Sequence, residues 1–268
     1  MANTVYPNKV IEAKAKDILT TQINARSMMT IDTSLTQDAG MTKTITTYTY
    51  NGTAEEVSAG SGNSTRGSIT YVANDYTVKM VQQPFDYLDE DFMKDPVIVD
   101  FGINGATSVM SNKMTSDFYS ALATKSGASE LVKGITFAKG KALSYDVIVD
   151  AISELNLEDE SKIFIVIPNA WKASLRKDPD YKSALMGEVI YNGQVGTVCG
   201  IPVIATKALT DKAYVMTNEA VTLFLKKDVE VEQERDADKR KNSVYLRSCY
   251  VCALRDATKA CRITEATA

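Results

Sequence analysis

The sequence predicts an α+β protein, on three observations. One is a single long helical pattern at 95–122, DPVIVDFGINGATSVMSNKMTSDFYSAL. The second is a last third built of strand-like runs, AYVMT, VTLFLKKDVEVEQER, NSVYLRSCYVCALRD and KACRIT. The third is KIFIVIP at 162–168, a continuous apolar run that follows a helical pattern and stops at a proline, as a strand buried on both faces does.

At 268 residues the chain is one large domain or two small ones and is long enough to bury a core. The apolar share of 44% and charged share of 24% are those of an ordinary folded protein, and a net charge of −4 gives no general attraction to nucleic acid. No stretch approaches the ~20 apolar residues of a membrane span, so no membrane partner is expected. The start MANTVYPNKV lacks a basic-then-apolar leader, so the chain is expected to be made and kept in a cytoplasm. It contains no histidine. That removes the commonest metal ligand and general base and every Ser-His or Cys-His pairing.

In chain order, residues 10–29 place Val10, Ala13, Ile18, Ile23 and Met28 loosely on one side, a weak amphipathic helix that needs a neighbour. Residues 42–83 read as strand, Gly/Ser-rich tip and strand; both arms carry Thr, Tyr and Val with few large aliphatics, so the hairpin projects and lies on a neighbour. In the central helix Asp95 is the expected cap and Pro96 the first helical residue. Asp89, Glu90 and Asp91 are its dipole partners. Ala106, Met110, Met114, Phe118 and Leu122 form its apolar stripe, with Val97 and Phe101 leading in. At ~1.5 Å per residue the helix is roughly 40 Å long, so it reads as a spine. Residues 123–141 are strand and turn. Residues 145–155 form a helix capped by Ser144, and NAWKASLRKDP a short helix ending before Pro179. Residues 181–186 form another, and GTVCGIPVIATKAL two short strands around 200–202.

Motifs with chemical potential are weak. Residues 62–68 (GNSTRGS) resemble a phosphate loop but lack its lysine and precede a strand. Cys249 and Cys252 have metal or redox spacing, yet three residues apart on a strand the sulfurs diverge, so they read as buried small hydrophobes. Ser174 and Lys177 match a Ser-x-x-Lys pattern without its companion motifs. The charged turn ERDADKRKN reads as a solvated loop whose mixed signs suit pairing between subunits. No catalytic, cofactor or metal constellation emerges, and the chain reads as a building part.

The order arm, projecting hairpin, spine helix, α/β insertion and terminal sheet resembles the Hong Kong 97-type major capsid proteins of tailed bacteriophages. The likeness rests on LDEDFMKDP at 88–96, the helix after it, GTVCGIPVIATKAL at 196–209 and the ending from VEVEQERDADKRKN to KACRI. The resemblance implies an N-terminal arm at 1–41, an E-loop hairpin at 42–83 laid over the neighbouring subunit, and a peripheral domain with the spine helix at 84–141. It further implies an axial domain at 142–213 and a peripheral-domain sheet at 214–268. Many copies would tile, as pentamers and hexamers, an icosahedral head that holds double-stranded DNA by non-specific contact, a virion component assembled in the host bacterial cytoplasm. A portal and a separate scaffolding protein are the implied partners; the arm follows almost at once on the Met start, so either the scaffold is a separate protein or none is used. The tip at 51–68 has no lysine, which argues against the covalent E-loop link of some members. Candidate contacts between subunits are Tyr48, Tyr50, Arg66, Tyr71 and Tyr76 on the hairpin, with Arg235, Asp236, Asp238, Lys239 and Arg240 on the charged turn. Gly102 and Gly105 each cost about 1 kcal/mol in a helix, so they mark either a hinge or close packing against the terminal sheet; the resemblance favours hinge candidates, since family shells expand while the spine changes shape. The alternatives are an encapsulin-type shell of the same fold and a soluble hydrolase, the latter opposed by the missing histidine.

Overall fold

The computed structural model describes residues 8–22, 24–37, 39–123, 125–126, 129–130, 132–180 and 196–266. In order these form α1 (Asn8–Gln22), α2 (Asn24–Ser27), β1 (Thr30–Asp32), β2 (Thr42–Asn51), β3 (Ser68–Thr77), β4 (Lys79–Leu88), α3 (Asp89–Lys94) and α4 (Val97–Leu122). There follow β5 (Lys125–Ser126), β6 (Ser129–Glu130), β7 (Lys133–Phe137), α5 (Tyr145–Leu155), β8 (Ile163–Pro168) and α6 (Lys172–Lys177). The chain closes with β9 (Thr197–Val198), β10 (Ile201–Thr206), β11 (Lys212–Thr217), β12 (Val221–Asp236), β13 (Lys241–Leu254) and β14 (Ala260–Glu265). No described helix is long and apolar enough to cross a membrane.

Helix α4 is the spine. Asp95 caps it as expected, its Oδ1 accepting from Val97 N at 3.0 Å, which satisfies one of the orphan N–H groups of the first turn. The expected stripe is buried from Ala106 to Leu122, and Val99, Ile103, Thr107 and Ser111 join it. Val97 and Phe101 do not: they are exposed. Phe101 lies five residues before Ala106, a rotation of about 500°, and therefore points roughly 140° away from the stripe. Asp89, Glu90 and Asp91 are also placed otherwise than expected. They occupy the first turn of a separate helix, α3.

Two cores follow. In the first, α4 packs on the sheet β1-β12-β13-β4, with α1 lying against α4 and β12. The first segment is therefore not loose in its own chain: Ile11, Ala15, Ala25, Met28 and Met29 are all buried, and β1 pairs in parallel with β12. The expected stripe was off in phase, since Val10 and Ala13 are exposed and only Met28 of the named residues is known to be inside. Ile23 and the side chain of Ile18 lie outside the described residues. The second core sits between α5 and a six-stranded sheet, β7-β14-β11-β8-β10-β9.

That sheet corrects the expected division at residue 213. β11 and β14 read as terminal-sheet strands, yet they pair with each other, with β8 and with β7 inside the six-stranded sheet. Their period-two alternation explains how. Ala213, Val215, Cys261 and Ile263 face the α5 core, whereas Tyr214, Met216 and Ala260 belong to the spine core. β8 behaves as predicted, with Ile163, Ile165 and Ile167 on one side and Val166 on the other. Tyr214 stacks on Tyr119 of the spine at 6.1 Å and joins the two cores.

Ser144 stands at the N-cap of α5 without a side-chain hydrogen bond. The Asp178 carboxylate takes that role, accepting from Tyr145 N at 2.8 Å. The expected helix at 181–186 lies outside the described residues. β9 and β10 turn at Cys199 and Gly200, both with positive φ (52° and 78°), the backbone of a tight two-residue hairpin.

Candidate functional site

The second arm of the expected 42–83 hairpin is divided at the buried Val78. β4 joins β13 in the spine sheet, while among the described residues β2 and β3 pair only with each other, over ten residues on each side. The free hairpin is thus 42–77. Directly opposed residues share a face, so Tyr48 and Tyr71, then Tyr50 and Ile69, build one apolar face near the far end. The Tyr48 and Tyr71 rings are 6.4 Å apart, and all four side chains are about 70% exposed. Tyr50 lies across Gly52 and Gly67, where an added Cβ would strike its ring. Beyond it the Glu55 carboxylate accepts from Ser64 N, Ser64 Oγ and Thr65 Oγ1, so the phosphate-like loop is organised by its own acid. Arg66 is exposed beside it.

Tyr76 differs from its fellow candidates. It sits at the hairpin's root, half-buried, and donates to Leu254 O at 3.2 Å, so it anchors the hairpin to its own chain. Ile45, Tyr76, Val78 and Phe224 form a small satellite core there. A groove of about 780 Å³ opens beneath the tyrosine face, lined by Thr44, Tyr48 and Tyr50 on the hairpin and Asp32, Phe224 and Arg255 on the body.

A second apolar surface lies at the α3–α4 corner, where Met93, Val97 and Phe101 are exposed (81%, 62% and 77%). Sequence reasoning missed it as a surface. The available signal was the phase of Val97 and Phe101 relative to the stripe.

The charged turn makes contacts within its own chain. Arg235 Nη2 and Asn242 Nδ2 donate to the two oxygens of Asp89 at 2.8 and 2.6 Å. Arg240 pairs with Glu90 at 3.0 Å. Asp236 accepts from Asp238 N and Lys239 N, closing the turn, and pairs with Lys239. Of these candidates, Arg235, Asp236, Lys239 and Arg240 therefore have partners in their own chain, and the acids at 89–90 are the other half of that lock. The Arg235 guanidinium, followed by the Asn242 amide, holds the Asp89 carboxyl below its ordinary range.

Cys249, Cys252 and Cys261 are buried and free, and only Cys199 is exposed. Cys249 belongs to the hairpin-root core and Cys252 to the spine core, so the two sulfurs diverge as expected. Burial, followed by the Asp117 charge, pushes the Cys252 thiol up to about 12.

No protein-family model matches the chain. The major capsid protein of Staphylococcus phage phiMR11 is 24% identical over 273 residues, covering 98% of this chain and 94% of the relative. A chain from the solved structure of Mycobacterium phage Che8 superposes with a TM-score of 0.64 at 15% identity, over 90% of this chain and 91% of that one. One from the capsid of cyanophage P-SCSP1u gives 0.67 at 12%, over 90% and 87%. The chain has the Hong Kong 97-type capsid fold. A virus-like particle from Pyrococcus furiosus shares it, with a TM-score of 0.61 at 10% identity over 95% of this chain and 98% of that one.

Within this capsid fold the two spine glycines part company. A Cβ on Gly102 would lie 2.5 Å from the Phe85 ring of β4, whereas one on Gly105 meets nothing within 4 Å. Gly102 is thus explained by packing against the sheet and Gly105 is not. Gly102→Ala should destabilise the subunit by about 1–3 kcal/mol through overpacking, and Gly105→Ala should stabilise it by up to about 1 kcal/mol. Melting curves of the two single variants check both signs.

The lock at Asp89 makes the contact between α3 and the charged turn acid-sensitive. A carboxyl whose folded pKa is depressed contributes stability that is present above the unfolded value, about 3.9, and is lost as pH falls through the folded value. The melting temperature of the soluble subunit should therefore fall more steeply below about pH 4 in the parent than in Asp89→Asn. Parallel curves would remove Asp89 as the cause.

Proposed function

We propose that this chain is a major capsid protein, a structural subunit whose copies close into the icosahedral head of a tailed phage. The observation that carries this is the β2–β3 hairpin, ten paired residues long, whose tyrosine face is uncovered in its own chain, on a fold shared with phage capsids over nine-tenths of its length. A two-stranded ribbon with no private core is marginal alone. It is stabilised by lying, as an E-loop, over the next subunit. Such a contact joins two different patches, so repetition closes rings, here of five and six subunits. The spine sheet forms the peripheral domain and the six-stranded sheet the axial domain at the ring centre. Gly105 is the hinge at which the spine bends as the shell expands. Double-stranded DNA is the non-specific content, and a scaffolding protein and a portal are the assembly partners.

The likeness to the virus-like particle of Pyrococcus furiosus favours, as second reading, a shell that is not a phage head. Expression of the full chain with its neighbouring genes, followed by negative-stain microscopy and nuclease treatment, decides between them. Nuclease-protected DNA inside closed particles supports the head, protein cargo supports the second reading, and a subunit that never assembles overturns both.

A further inference from the structure

We infer that Asn51 is a self-modification site: the Asn51-Gly52 junction at the end of β2 converts the side-chain amide to a carboxylate, with water as the only co-reactant. The site stands whether or not the chain builds a shell. The Gly52 backbone nitrogen, losing its proton to hydroxide, attacks Cγ of Asn51. A C–N bond forms, the side-chain nitrogen leaves as ammonia, and a five-membered succinimide ring results. Water then adds to either ring carbonyl and breaks its bond to nitrogen, leaving an aspartyl or isoaspartyl residue; nothing is oxidised or reduced. The reaction needs a following residue with no Cβ to crowd the attack, a backbone free to turn, and a backbone nitrogen that is not already donating.

Asn-Gly pairs stand at 51–52, 104–105 and 192–193, the last outside the described residues. Exposure does not separate the first two, since Asn51, Gly52, Asn104 and Gly105 are all exposed. Hydrogen bonding does. Asn104 and Gly105 lie inside α4, where the Gly105 N–H donates to the carbonyl one turn back and the backbone is held helical. At the hairpin the phase of the ladder decides. Val78 N donates to Met41 O at 2.7 Å, just outside the first paired residues, Thr42 and Thr77. Bonded and non-bonded pairs alternate along an antiparallel ladder, so Thr42–Thr77 is a non-bonded pair and Asn51–Ser68, nine positions on, is a bonded one. Gly52 follows the last rung in a non-bonded position, belongs to no strand or helix, and its N–H makes no backbone hydrogen bond among the described residues.

Packing also keeps the reactive residue type in place. A Cβ at position 52 would stand 2.6 Å from the Tyr50 phenol oxygen, so the ring that crosses the hairpin end demands glycine there and with it the uncrowded nitrogen. The other exposed asparagine of this loop is guarded. Asn63 precedes Ser64, whose N–H donates to the Glu55 carboxylate and whose Cβ crowds the approach. The structure therefore singles out Asn51 over Asn63 and Asn104. Conversion adds one negative charge to the chain's −4, beside the exposed tyrosine face of the hairpin, a change of the kind that shifts electrostatic contacts at a surface.

The test incubates the full-length soluble subunit in mildly alkaline buffer, folded and, in parallel, unfolded in guanidinium. Conversion at Asn51, Asn63 and Asn104 is followed by fragmentation mass spectrometry and isoaspartate labelling. In the folded subunit Asn51 should exchange its amide NH2 for OH at least about tenfold faster than Asn104, whose helix must first open, and Asn63 should lag as well. In guanidinium the ratio of Asn51 to Asn104 should fall to about one, because the hydrogen bonds that distinguish them are gone. Asn51→Gln, whose longer side chain closes only a less favoured six-membered ring, should leave the peptide 44–66 unconverted while melting like the parent. Equal conversion of Asn51 and Asn104 in the folded subunit, an Asn51 that stays unconverted there, or undiminished conversion of that peptide in Asn51→Gln overturns the inference.

Discussion

Replacing residues 47–72 by an Asn-Gly turn that joins the paired residues Thr46 and Ala73 should leave the subunit folded and abolish the closed shells proposed above. The excised segment contains the four exposed residues of the tyrosine face and the loop tied by Glu55, none of which belongs to a core cluster. The residues that root the hairpin, Ile45 and Tyr76, remain. Changes at surface positions away from cores, caps and strained sites usually stay within roughly ±0.5 kcal/mol each, loop-closure entropy varies only slowly with loop length, and Asn-Gly is the preferred two-residue turn for such a junction. Melting temperature should therefore stay within a few degrees of the parent, while sedimentation and electron microscopy find no particles. Cooperative unfolding lost at room temperature would mean that the hairpin is part of the core after all.

The opposite outcome is expected at Phe118. Its side chain is fully buried on the spine, 5.0 Å edge-to-face from Tyr119 and inside the core shared by α1, α4 and the spine sheet. Phe118→Ala removes both transfer free energy and packing and costs about 3–5 kcal/mol, a large part of the ~5–15 kcal/mol that holds a domain together. Denaturant unfolding of the soluble subunit measures it. Phe101→Ala on the same helix, 77% exposed, is the control and should stay within about 0.5 kcal/mol of the parent. The pair separates the two sides of one helix: Phe118 is held inside the core and Phe101 is not. Similar melting of both variants would refute the division.

The spine, its Asp95 cap, the apolar strand at 163–168 and the pair of diverging cysteines were legible because each is a local fact. A 3.6-residue stripe, a carboxylate one turn ahead of orphan N–H groups, and a period-two alternation are set by residues a few positions apart. The candidate contacts were legible by type only. Tyr48, Tyr50 and Tyr71 are exposed, but Tyr76, identical in chemistry and five residues from Tyr71, is an anchor, because its ring reaches Leu254 O at the hairpin root. Arg235 and Arg240 looked like free charges until the fold set Asp89 and Glu90, about 150 positions earlier, beside them.

By itself the sequence determined the main helices and strands, the apolar stripe of the spine from Ala106 to Leu122, and, through resemblance, the fold. Only the tertiary structure decided partners. Periodicity reports that a face is buried and is silent about what buries it, so β14 reads the same whether it completes the spine sheet or, as it does, pairs with β7 and β11. The same silence hid the α3–α4 corner: Phe101 is apolar in any frame, and it becomes a surface only once α4 is rotated to bury Val99 and Ile103, which turns Phe101 outward.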